Sequence, residues 1–450
     1  MPLTLTALSP LDGRYAPQLT ALTPFFSELA LQKYRVKIEL EYFNALAQEL
    51  AIKEIRPLTK PEAKFCRAIS ENFSLKDGKR LKAIEKKIQH DVKAVEYFLA
   101  AKLKKTSLKQ QIPFLHFALT SEDVNNLAYA LLIRAACQQV IWPQLAKLQK
   151  LLKALARNWS AIPLLARTHG QPATPTTLGH EFAVFAARIA RQQQHLKQQQ
   201  FLGKLNGATG NFAAHALAYP QVNWPRFAQK FIRKIGLTPN LVTTQIEPHD
   251  FLVELSNTLA LLNTILLDLA RDCWGYLARD LFQLKKSTAE VGSSTMPHKV
   301  NPINFENAEG NFGLANALYQ FFAQKLPISR FQRDLSDSTV LRNFGVATGY
   351  ALLGYQNLQT GLQKLQPHKV TLNKELADNP AVLAEAIQII LRKQGDSQGY
   401  EKLKKLTRGA TTSLASLRQF IAKLALPTTE KQKLLNLTPT TYRGLKNFGI

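Results

Sequence analysis

The part of the chain whose residue types most strongly suggest chemistry is GSSTMPHKVNP, at positions 292–302. It combines a glycine, hydroxyl side chains, a lysine and an asparagine, and its prolines prevent a continuous helix. Exposed backbone N–H groups and a fixed cation are suited to hold a carboxylate or a developing oxyanion. We interpret the segment as an anion-binding catalytic loop, with a plain surface loop as the alternative.

A candidate for proton transfer is His169, in the segment RTHGQP at positions 167–172. The glycine after it indicates a tight loop. An imidazole titrates near neutral pH, so it can pass a proton to a leaving group. A structural loop histidine is the alternative interpretation.

Two further segments carry groups that bind anions. Thr120 and Ser121 stand at a predicted helix start, where free N–H groups bind anions or are simply capped. In RDLSDSTVLR, positions 333–342, Arg333 and Arg342 could hold a carboxylate or phosphate in forked geometry. Ser338 shares a face with Arg342 if the segment is helical, and a salt-bridged helix end is the alternative.

Two segments are weaker candidates on their own. Gln89-His90-Asp91 could be half of a metal site, but the further His and Asp ligands that such a site needs are not evident. A hydrogen-bonded structural histidine is the alternative. Asp12-Gly13-Arg14-Tyr15 is by itself an ordinary turn.

The elements that must position these segments are helices. Apolar residues recur at spacings of three and four in three stretches, which predicts helices with buried stripes. The stripes are Leu252, Leu255, Leu259, Leu262, Leu266 and Leu269; Leu145, Leu148, Leu152 and Leu155; and Leu178, Phe182, Phe185 and Ile189. No alternating strand segment is convincing, so we predict an all-α fold. Three helical domains are expected, at 1–111, 112–365 and 366–450, with a long central helix bundle.

Prolines refine this prediction. Thr174-Pro175 predicts a helix start, with a capping hydroxyl before proline at the first helical position. Pro143 should kink or divide the helix that follows Ser121, because proline removes a backbone donor.

Composition limits the class of protein. The 450 residues include 58 Lys and Arg against 32 Asp and Glu, a net charge of +26, spread along the chain rather than gathered in a tail. Such charge attracts anionic small molecules or nucleic acid, so a basic helical RNA-binding protein is one alternative. The three isolated cysteines, Cys66, Cys137 and Cys273, favour a reducing cytoplasm. We expect no membrane-spanning segment, since polar residues interrupt every apolar run.

Together the segments resemble those of the fumarase/aspartase/argininosuccinate lyase superfamily, and within it the adenylosuccinate lyases of many bacteria. The loop at 292–302 is similar to the superfamily's most recognisable motif. PLDGRY, QHDVKAVEYFL, HFALTSEDVNN, RTHGQPATP, TTQIEPHD and RDLSDSTVLRN follow in the same order as in that enzyme. The resemblance covers nearly the whole chain and is weakest after Pro367.

The resemblance implies a cytoplasmic homotetramer whose central helices form a shared bundle and whose active sites each draw residues from three subunits. It implies β-elimination of fumarate from adenylosuccinate, giving AMP, and from the succinylated aminoimidazole carboxamide ribotide. Both reactions belong to purine synthesis, on the routes to AMP and IMP. No metal or organic cofactor is expected, nor a membrane or nucleic-acid partner.

The resemblance also assigns roles to residues. Ser293 is the expected base and His169 the acid, whereas the residue types alone would suggest histidine for both proton steps. His90 would help position the substrate, and Lys299 and Asn301 suit a carboxylate that gains charge. The other expected substrate-binding residues are Arg14, Tyr15, Gln89, Asp91, Thr120, Ser121, Gln245, Ser294, Asn307, Arg333, Ser338, Thr339 and Arg342.

One departure from the family pattern concerns Gln89, which stands where an asparagine is expected. The carboxamide is retained on a side chain one methylene longer. Argininosuccinate lyase, or another fumarate-releasing member, is the alternative function within the superfamily. The nucleotide-suited segments at Arg14-Tyr15 and at Ser338 to Arg342 argue against it.

Overall fold

The computed structural model describes residues 5–285, 296, 299–407 and 412–445. Their α-helices are α1 (Ala16–Leu19), α2 (Thr23–Phe26), α3 (Glu28–Leu46), α4 (Lys60–Glu71), α5 (Leu75–Ile88), α6 (Asp91–Leu103), α7 (Ser121–Ala136), α8 (Trp142–Asn158), α9 (Leu178–Gln198), α10 (Ala213–Ala218), α11 (Trp224–Lys234), α12 (Asp250–Ala278), α13 (Ile303–Lys325), α14 (Ser336–Leu341), α15 (Phe344–Lys364), α16 (Lys369–Ala377), α17 (Ala384–Lys393), α18 (Gly399–Thr407), α19 (Leu414–Ala422) and α20 (Thr428–Leu435). Short 3₁₀ turns lie at Thr20–Leu22, Lys109–Phe114 and Pro380–Leu383.

Strands in the described residues are only two or three residues long. They are β1 (Pro163–Leu164), β2 (Arg167–Thr168), β3 (Gln171–Pro172), β4 (Thr176–Thr177), β5 (Leu202–Gly203), β6 (Thr238–Pro239), β7 (Phe282–Leu284) and β8 (Leu365–Pro367). They form four separate pairs, β1 with β4, β2 with β3, β5 with β6 and β7 with β8. The all-α prediction is confirmed.

The chain forms two compact units, and each is discontinuous in sequence. Unit 1 contains the described residues of Met1–Leu145, Gln192–Thr264 and Asn311–Gly354. Unit 2 contains those of Ala146–Arg191, Ile265–Gly310 and Tyr355–Ile450. The three domains expected from the sequence remain a prediction.

Helix α3 lies at the centre of unit 1. It packs against α4 and α7, and its buried side chains include Ile38, Tyr42 and Phe43. Its start is capped by Ser27, whose hydroxyl accepts from the backbone N–H of Ala30. A capping residue in extended conformation satisfies one of the unpaired N–H groups of the first turn.

Unit 2 has an aromatic core and a smaller helical one. The Trp159 ring packs against Phe182 and Phe282, with ring centroids 5.0 and 5.4 Å away. The helices from α17 to α20 enclose a separate apolar cluster. Its buried members are Leu383, Ile387, Leu391, Leu403, Leu417, Ile421 and Leu434.

The leucine stripes lie where their spacing predicted. All the residues of the three stripes are buried. Among the described residues, α12 alone is long and apolar enough to cross a membrane by length and composition, and half of its apolar window is buried. Its Asn263 is fully buried and donates to Asn316 Oδ1 at 3.0 Å. A buried, hydrogen-bonded amide on such a helix is typical of a helix packed in a protein core.

Of the two proline predictions, one is confirmed and one is wrong. A π-helical turn, Cys137–Ile141, separates α7 from α8 immediately before Trp142 and Pro143. Helix α9 does not begin at Pro175, because Thr176 and Thr177 pair with Leu164 and Pro163 in β1. The capping hydroxyl is that of Thr177, which accepts from the His180 N–H at 3.1 Å.

Candidate active site

Unit 1 contains an open cleft of about 1150 Å³, and most of the predicted binding residues line it. Those residues are Gln89, His90, Asp91, Thr120, Ser121, Gln245, Arg333, Ser338, Thr339 and Arg342. They come from four separate parts of the sequence, so the cleft exists only in the folded unit. The remaining lining residues are Lys82, Glu85, Lys86, Asn125, Ala208, Thr209, Phe331, Gln332, Asp334 and Leu335.

The junction between α5 and α6 supplies one wall of the cleft. Gln89 ends α5 in a left-handed conformation, with φ of +53°. His90 then caps α6, and its Nδ1 accepts from the Lys93 N–H at 3.1 Å. Because Nδ1 is the acceptor, the neutral ring carries its proton on Nε2 and can donate from that atom. The His90 side chain is 52% exposed, so Nε2 is accessible to a ligand.

Asp91 is held by a buried arginine that the sequence did not single out. Arg35, in α3, donates from Nη2 to Asp91 Oδ2 at 2.7 Å and from Nε to Asn125 Oδ1 at 2.8 Å. Burial alone would raise the pKa of Asp91. The charge of Arg35 and the Val92 N–H outweigh burial and hold that pKa below its usual value. Asp91 is therefore an anion at neutral pH, and Arg342 lies 3.8 Å from the same Oδ2.

The start of α7 brings Thr120 and Ser121 to the cleft. Helix α7 begins at Ser121, as the hydroxyl and acidic residues predicted. Asp123 is fully buried and accepts from the Thr120 N–H at 2.9 Å. It also pairs with the buried Lys204 at 3.0 Å and accepts from the Asn206 N–H at 3.0 Å. One carboxylate thus fixes both the helix start and the loop that carries Ala208 and Thr209.

Arg333 and Gln245 form a linked pair on another wall. Arg333 Nη1 donates to Gln245 Oε1 at 3.2 Å, and Gln245 Nε2 donates to the Ala208 carbonyl at 2.8 Å. Arg333 Nη2 lies 3.2 Å from Glu122 Oε2. These contacts fix the guanidinium at the edge of the cleft.

Three buried titratable groups stand behind Arg333. Burial raises the pKa of Glu122 to about 7, and the charges of Arg333 and His249 only partly oppose this. Burial lowers the pKa of His249, but its hydrogen bond to Asp337 and the nearby carboxylates raise it overall. Asp337 has a lowered pKa, because the same hydrogen bond and charges outweigh its burial.

The segment around α14 places Ser338, Thr339 and Arg342 on the cleft. Ser338 and Thr339 lie in the helix and Arg342 follows directly at its C-cap. Ser338 and Arg342 therefore face the same side, as their spacing predicted. The Arg342 side chain is 53% exposed. A half-exposed guanidinium beside two hydroxyls is suited to a phosphate group.

His169 lies in unit 2, at the tip of the β2–β3 hairpin. The two turn residues, His169 and Gly170, have φ of +54° and +74°. Positive φ at both central residues is typical of a two-residue type I′ hairpin turn. Arg167 donates to the Gly170 carbonyl at 3.1 Å and to Glu375 Oε1 at 2.7 Å. The histidine side chain is exposed at the tip.

The predicted catalytic loop falls partly outside the described residues. Ser293 and Ser294 lie outside them. Lys299 is exposed, and its N–H donates to the Met296 carbonyl at 3.0 Å. Asn301 follows, and Asn307 is exposed in the first turns of α13. These residues belong to unit 2, as His169 does.

Arg14 and Tyr15 do not line the cleft as described. Tyr15 is the residue before α1, and its ring packs against a cluster that contains Leu11 and Leu19. The Arg14 side chain is exposed, with its guanidinium carbon 6.0 Å from the centre of the Tyr15 ring.

The sequence around Arg35 carries one signal of its buried role. Leu31, Ile38 and Tyr42 are buried along one face of α3, and Arg35 stands on that stripe at helical spacing. A charged residue on an apolar stripe indicates a buried partner. Nothing local indicated that the loop residues Ala208 and Thr209 would reach the cleft.

Comparison with known proteins identifies the family of the chain. The family described as "Lyase" matches residues 13–316, and "Adenylosuccinate lyase C-terminal" matches residues 329–443. The chain is 50% identical over 442 residues to the adenylosuccinate lyase of Escherichia coli K12, covering 98% of this chain and 97% of that protein. It is 48% identical, with the same coverage, to those of Legionella pneumophila Corby and Haemophilus influenzae.

The chain belongs to the adenylosuccinate lyase family. It is therefore a lyase, and the resemblance found in the sequence is confirmed.

Solved structures share the fold of this chain at lower sequence identity. A fumarate lyase from Mesorhizobium sp. BNC1 matches with a TM-score of 0.76 at 20% identity, covering 94% of this chain and 95% of that one. The 3-carboxy-cis,cis-muconate lactonizing enzyme from Pseudomonas putida matches with a TM-score of 0.73 at 22% identity, covering 95% and 94%. At such identities the likeness concerns the fold alone.

Proposed function

We propose that the chain is an adenylosuccinate lyase. It cleaves adenylosuccinate to AMP and fumarate, and the succinylated aminoimidazole carboxamide ribotide to its free carboxamide and fumarate. The observation that carries the proposal is the convergence of Gln89–Asp91, Thr120–Ser121, Gln245 and Arg333–Arg342 on one cleft. It occurs in a chain that is 50% identical to the Escherichia coli enzyme.

The cleft supplies binding groups for a substrate with a phosphate and two carboxylates. Arg342, Ser338 and Thr339 suit the phosphate, because a guanidinium and hydroxyls satisfy its oxygens. Arg333 and Gln245 provide a second, fixed set of donors for a carboxylate or for the base. Arg14 and Tyr15 are proposed to complete the nucleotide site, and the high positive charge of the chain steers such an anion towards it.

The chemical step is a β-elimination. Ser293 removes the proton from the carbon beside a carboxylate, and that carboxylate gains charge as an aci-form dianion. Lys299, Asn301, Ser294 and the loop backbone stabilise the charge, because preorganised donors and cations act most strongly where charge develops. Asn307, in the first turns of α13, completes the pocket beside them.

His169 then protonates the departing nitrogen as the C–N bond breaks. The exposed hairpin tip leaves its imidazole free to reach a substrate. His90, which can donate from Nε2, orients the substrate. Asp91 and Gln89 line the same wall, and the longer Gln89 side chain keeps the carboxamide chemistry of the family's asparagine.

We further propose that the enzyme is a cytoplasmic homotetramer and that each active site draws residues from three subunits. Apolar side chains on long helices of unit 1 are about half exposed in the single chain, namely Leu261, Leu314 and Phe321. Exposed apolar surface of this kind is typical of a protein–protein interface. Light scattering of the purified protein would measure the assembly. A reducing compartment fits the three cysteines, which are all buried and unpaired.

The test of the proposed function is turnover of adenylosuccinate, followed by the ultraviolet change on formation of AMP and by release of fumarate. Turnover of adenylosuccinate with none of argininosuccinate is the expected result. Turnover of argininosuccinate alone would move the chain to another fumarate-releasing activity. Tight, salt-dependent RNA binding without turnover would favour the RNA-binding alternative.

A further inference from the structure

Behind the cleft of unit 1 lies a cluster of buried titratable side chains that do not line the cleft themselves. Glu122 is 2% exposed, His249 is 2% exposed and Asp337 is 3% exposed. They come from α7, from the loop before α12 and from α14, and one ligand-type atom of each lies within 4.8 Å of the others. Burying three such groups is costly unless they have partners, so the cluster calls for an explanation.

The residue types would also suit a metal ion, but the contacts around the cluster argue for another arrangement. The Arg333 guanidinium lies 3.2 Å from Glu122 Oε2 and occupies the position that a cation would take beside that carboxylate. His249 Nε2 lies 3.4 Å from Asp337 Oδ2 and so faces a carboxylate rather than an open centre. A further buried carboxylate, Glu247, places Oε2 3.9 Å from His249 Nδ1, so the imidazole stands between two carboxylates.

Arg333 connects the cluster with the cleft, because it contacts Glu122 and also lines the cleft. The Arg333 side chain is 14% exposed and lines the cleft, whereas Glu122, His249 and Asp337 do not. Glu122 holds Nη2 of the guanidinium from behind, and Gln245 accepts from Nη1 at 3.2 Å. An arginine in solution has several rotatable bonds, and fixing them before binding lowers the entropy lost when a ligand arrives.

We propose that Glu122, His249 and Asp337 are positioning residues that fix the Arg333 guanidinium, together with Gln245, for the anionic part of the substrate. Glu122 contacts Arg333 directly, and His249 and Asp337 keep the electrostatic balance around it. The assignment of the anion to a nucleotide substrate rests on the proposed function. The positioning itself can be measured by binding alone.

A double-mutant cycle tests the proposal. Burial raises the pKa of Glu122 to about 7, so the measurements are made at about pH 8.5, where the wild-type carboxylate is ionised. Glu122→Gln then keeps the shape of the side chain and removes its charge. We expect it to raise KM for adenylosuccinate and Kd for AMP about tenfold, while kcat changes less than about threefold. Arg333→Met should raise both constants at least as much. The double variant should resemble Arg333→Met alone, because Glu122 acts through Arg333.

The matched control is Glu39→Gln. Glu39 is also a fully buried carboxylate, and it contacts a histidine, His116 Nδ1, at 2.6 Å. Neither residue lines the cleft. We expect Glu39→Gln to leave KM and Kd for AMP within about twofold of wild type and to combine multiplicatively with Arg333→Met. A loss of affinity equal to that of Glu122→Gln would show a merely structural effect and overturn the proposal.

Other outcomes are equally decisive. Independent, multiplicative effects of Glu122→Gln and Arg333→Met would overturn the proposal. If Glu122→Gln does not fold, Asp337→Asn replaces it in the same cycle, with the same expectation of non-additivity on Kd for AMP. Wild-type protein that binds AMP without turning over adenylosuccinate would refute the proposed function, while the AMP cycle would still decide the positioning. Wild-type protein that neither binds AMP nor turns over adenylosuccinate would refute both the proposed function and the positioning role.

Discussion

The cleft of unit 1 and the hairpin tip of unit 2 hold their functional side chains in opposite ways. In the cleft, Asp91 and Arg333 are each fixed by a buried partner that is distant in sequence, Arg35 and Glu122 respectively. At the hairpin tip, His169 is placed by two backbone conformations and by its neighbour Arg167, while its own side chain is exposed.

The difference suits the two proposed tasks. A binding residue must hold a charge at a fixed place. Contacts with buried partners keep it there before the ligand arrives, so less side-chain entropy is lost on binding. A proton-transfer residue must reach the reacting atom, and an exposed tip leaves it free to do so. Damage to the cleft should therefore appear in affinity and stability, and damage to the hairpin in turnover.

The largest expected effect concerns the proposed acid and base. His169→Ala and Ser293→Ala should each lower kcat by roughly 10²–10⁴-fold, because a general acid or base contributes about that much. KM and the oligomeric state should stay close to those of wild type. Steady-state kinetics and light scattering measure both. A Ser293→Ala enzyme with a near-normal rate would show that the base lies elsewhere.

The next effect concerns buried support in the cleft. Arg35→Ala leaves the Asp91 carboxylate, which is 29% exposed, without its main partner, and we expect a loss of about 2–3 kcal/mol of unfolding free energy, at or below the cost of breaking a fully buried pair. Denaturant unfolding measures the loss, which should come with weaker AMP binding. Arg188→Ala is the control in unit 2, where the pair with Asp268 is partly exposed and should contribute less than about 1 kcal/mol. Equal losses of unfolding free energy in Arg35→Ala and Arg188→Ala would contradict the proposed difference between the cleft and unit 2.

A pH effect should also come from the unit that carries the cleft. His215 is 1% exposed, and burial lowers its pKa from 6.5 to about 4. Between those pH values the unfolded chain binds a proton that the folded chain does not. The contribution of His215 to the free energy of unfolding therefore falls as the pH falls through this window and is constant above it.

His215→Phe should remove this slope while keeping the ring contact with Trp224, whose centroid is 4.7 Å from that of His215. At pH 5 the wild type should have lost about 2 kcal/mol more than the variant, relative to pH 7.5. Chemical denaturation at the two pH values measures the difference. Parallel losses in both proteins would mean that His215 does not titrate in this range.

Local chemistry explains which features could be predicted from the sequence. Leucine spacing identified the buried stripes, and hydroxyl and acidic residues located the start of α7 at Ser121. Pro143 indicated the interruption before α8. Each of these depends on neighbours along one helix. The predicted helix start at Pro175 was wrong for the same reason. Thr176 pairs with Leu164, a contact outside the local sequence, and this pairing prevents the helix from starting at Pro175.

The support of the cleft could not be predicted in the same way. Arg35 and Asn125 are 90 positions apart, and Arg333 and Gln245 are 88 apart. No periodicity within a helix relates such residues, so only the folded chain shows which charges meet. The segments that line the cleft could be named from the sequence, but the contacts that fix their side chains could not.

The smallest expected effect tests the hairpin by its backbone alone. Gly170→Ala adds a methyl group at a φ of +74°, where an L-residue is strained by about 1–2 kcal/mol. Apart from the two neighbours along the chain, no atom of the described residues lies within 4 Å of the added carbon, so the strain acts on the turn beside His169. We expect kcat to fall about tenfold, because a small displacement of a catalytic group is costly, with AMP affinity unchanged.

The matched control is Gly395→Ala, also in unit 2, with a φ of +85° and equally open surroundings. Gly395→Ala should lose a similar amount of unfolding free energy and keep the wild-type kcat. Unchanged kcat in Gly170→Ala would mean that the hairpin adjusts to the strain and that the turn does not determine where His169 lies. A loss of AMP affinity would contradict the separation of tasks between the two regions, since it would make the hairpin part of the binding surface. A selective fall in kcat would show that two backbone angles are sufficient to place the proposed acid.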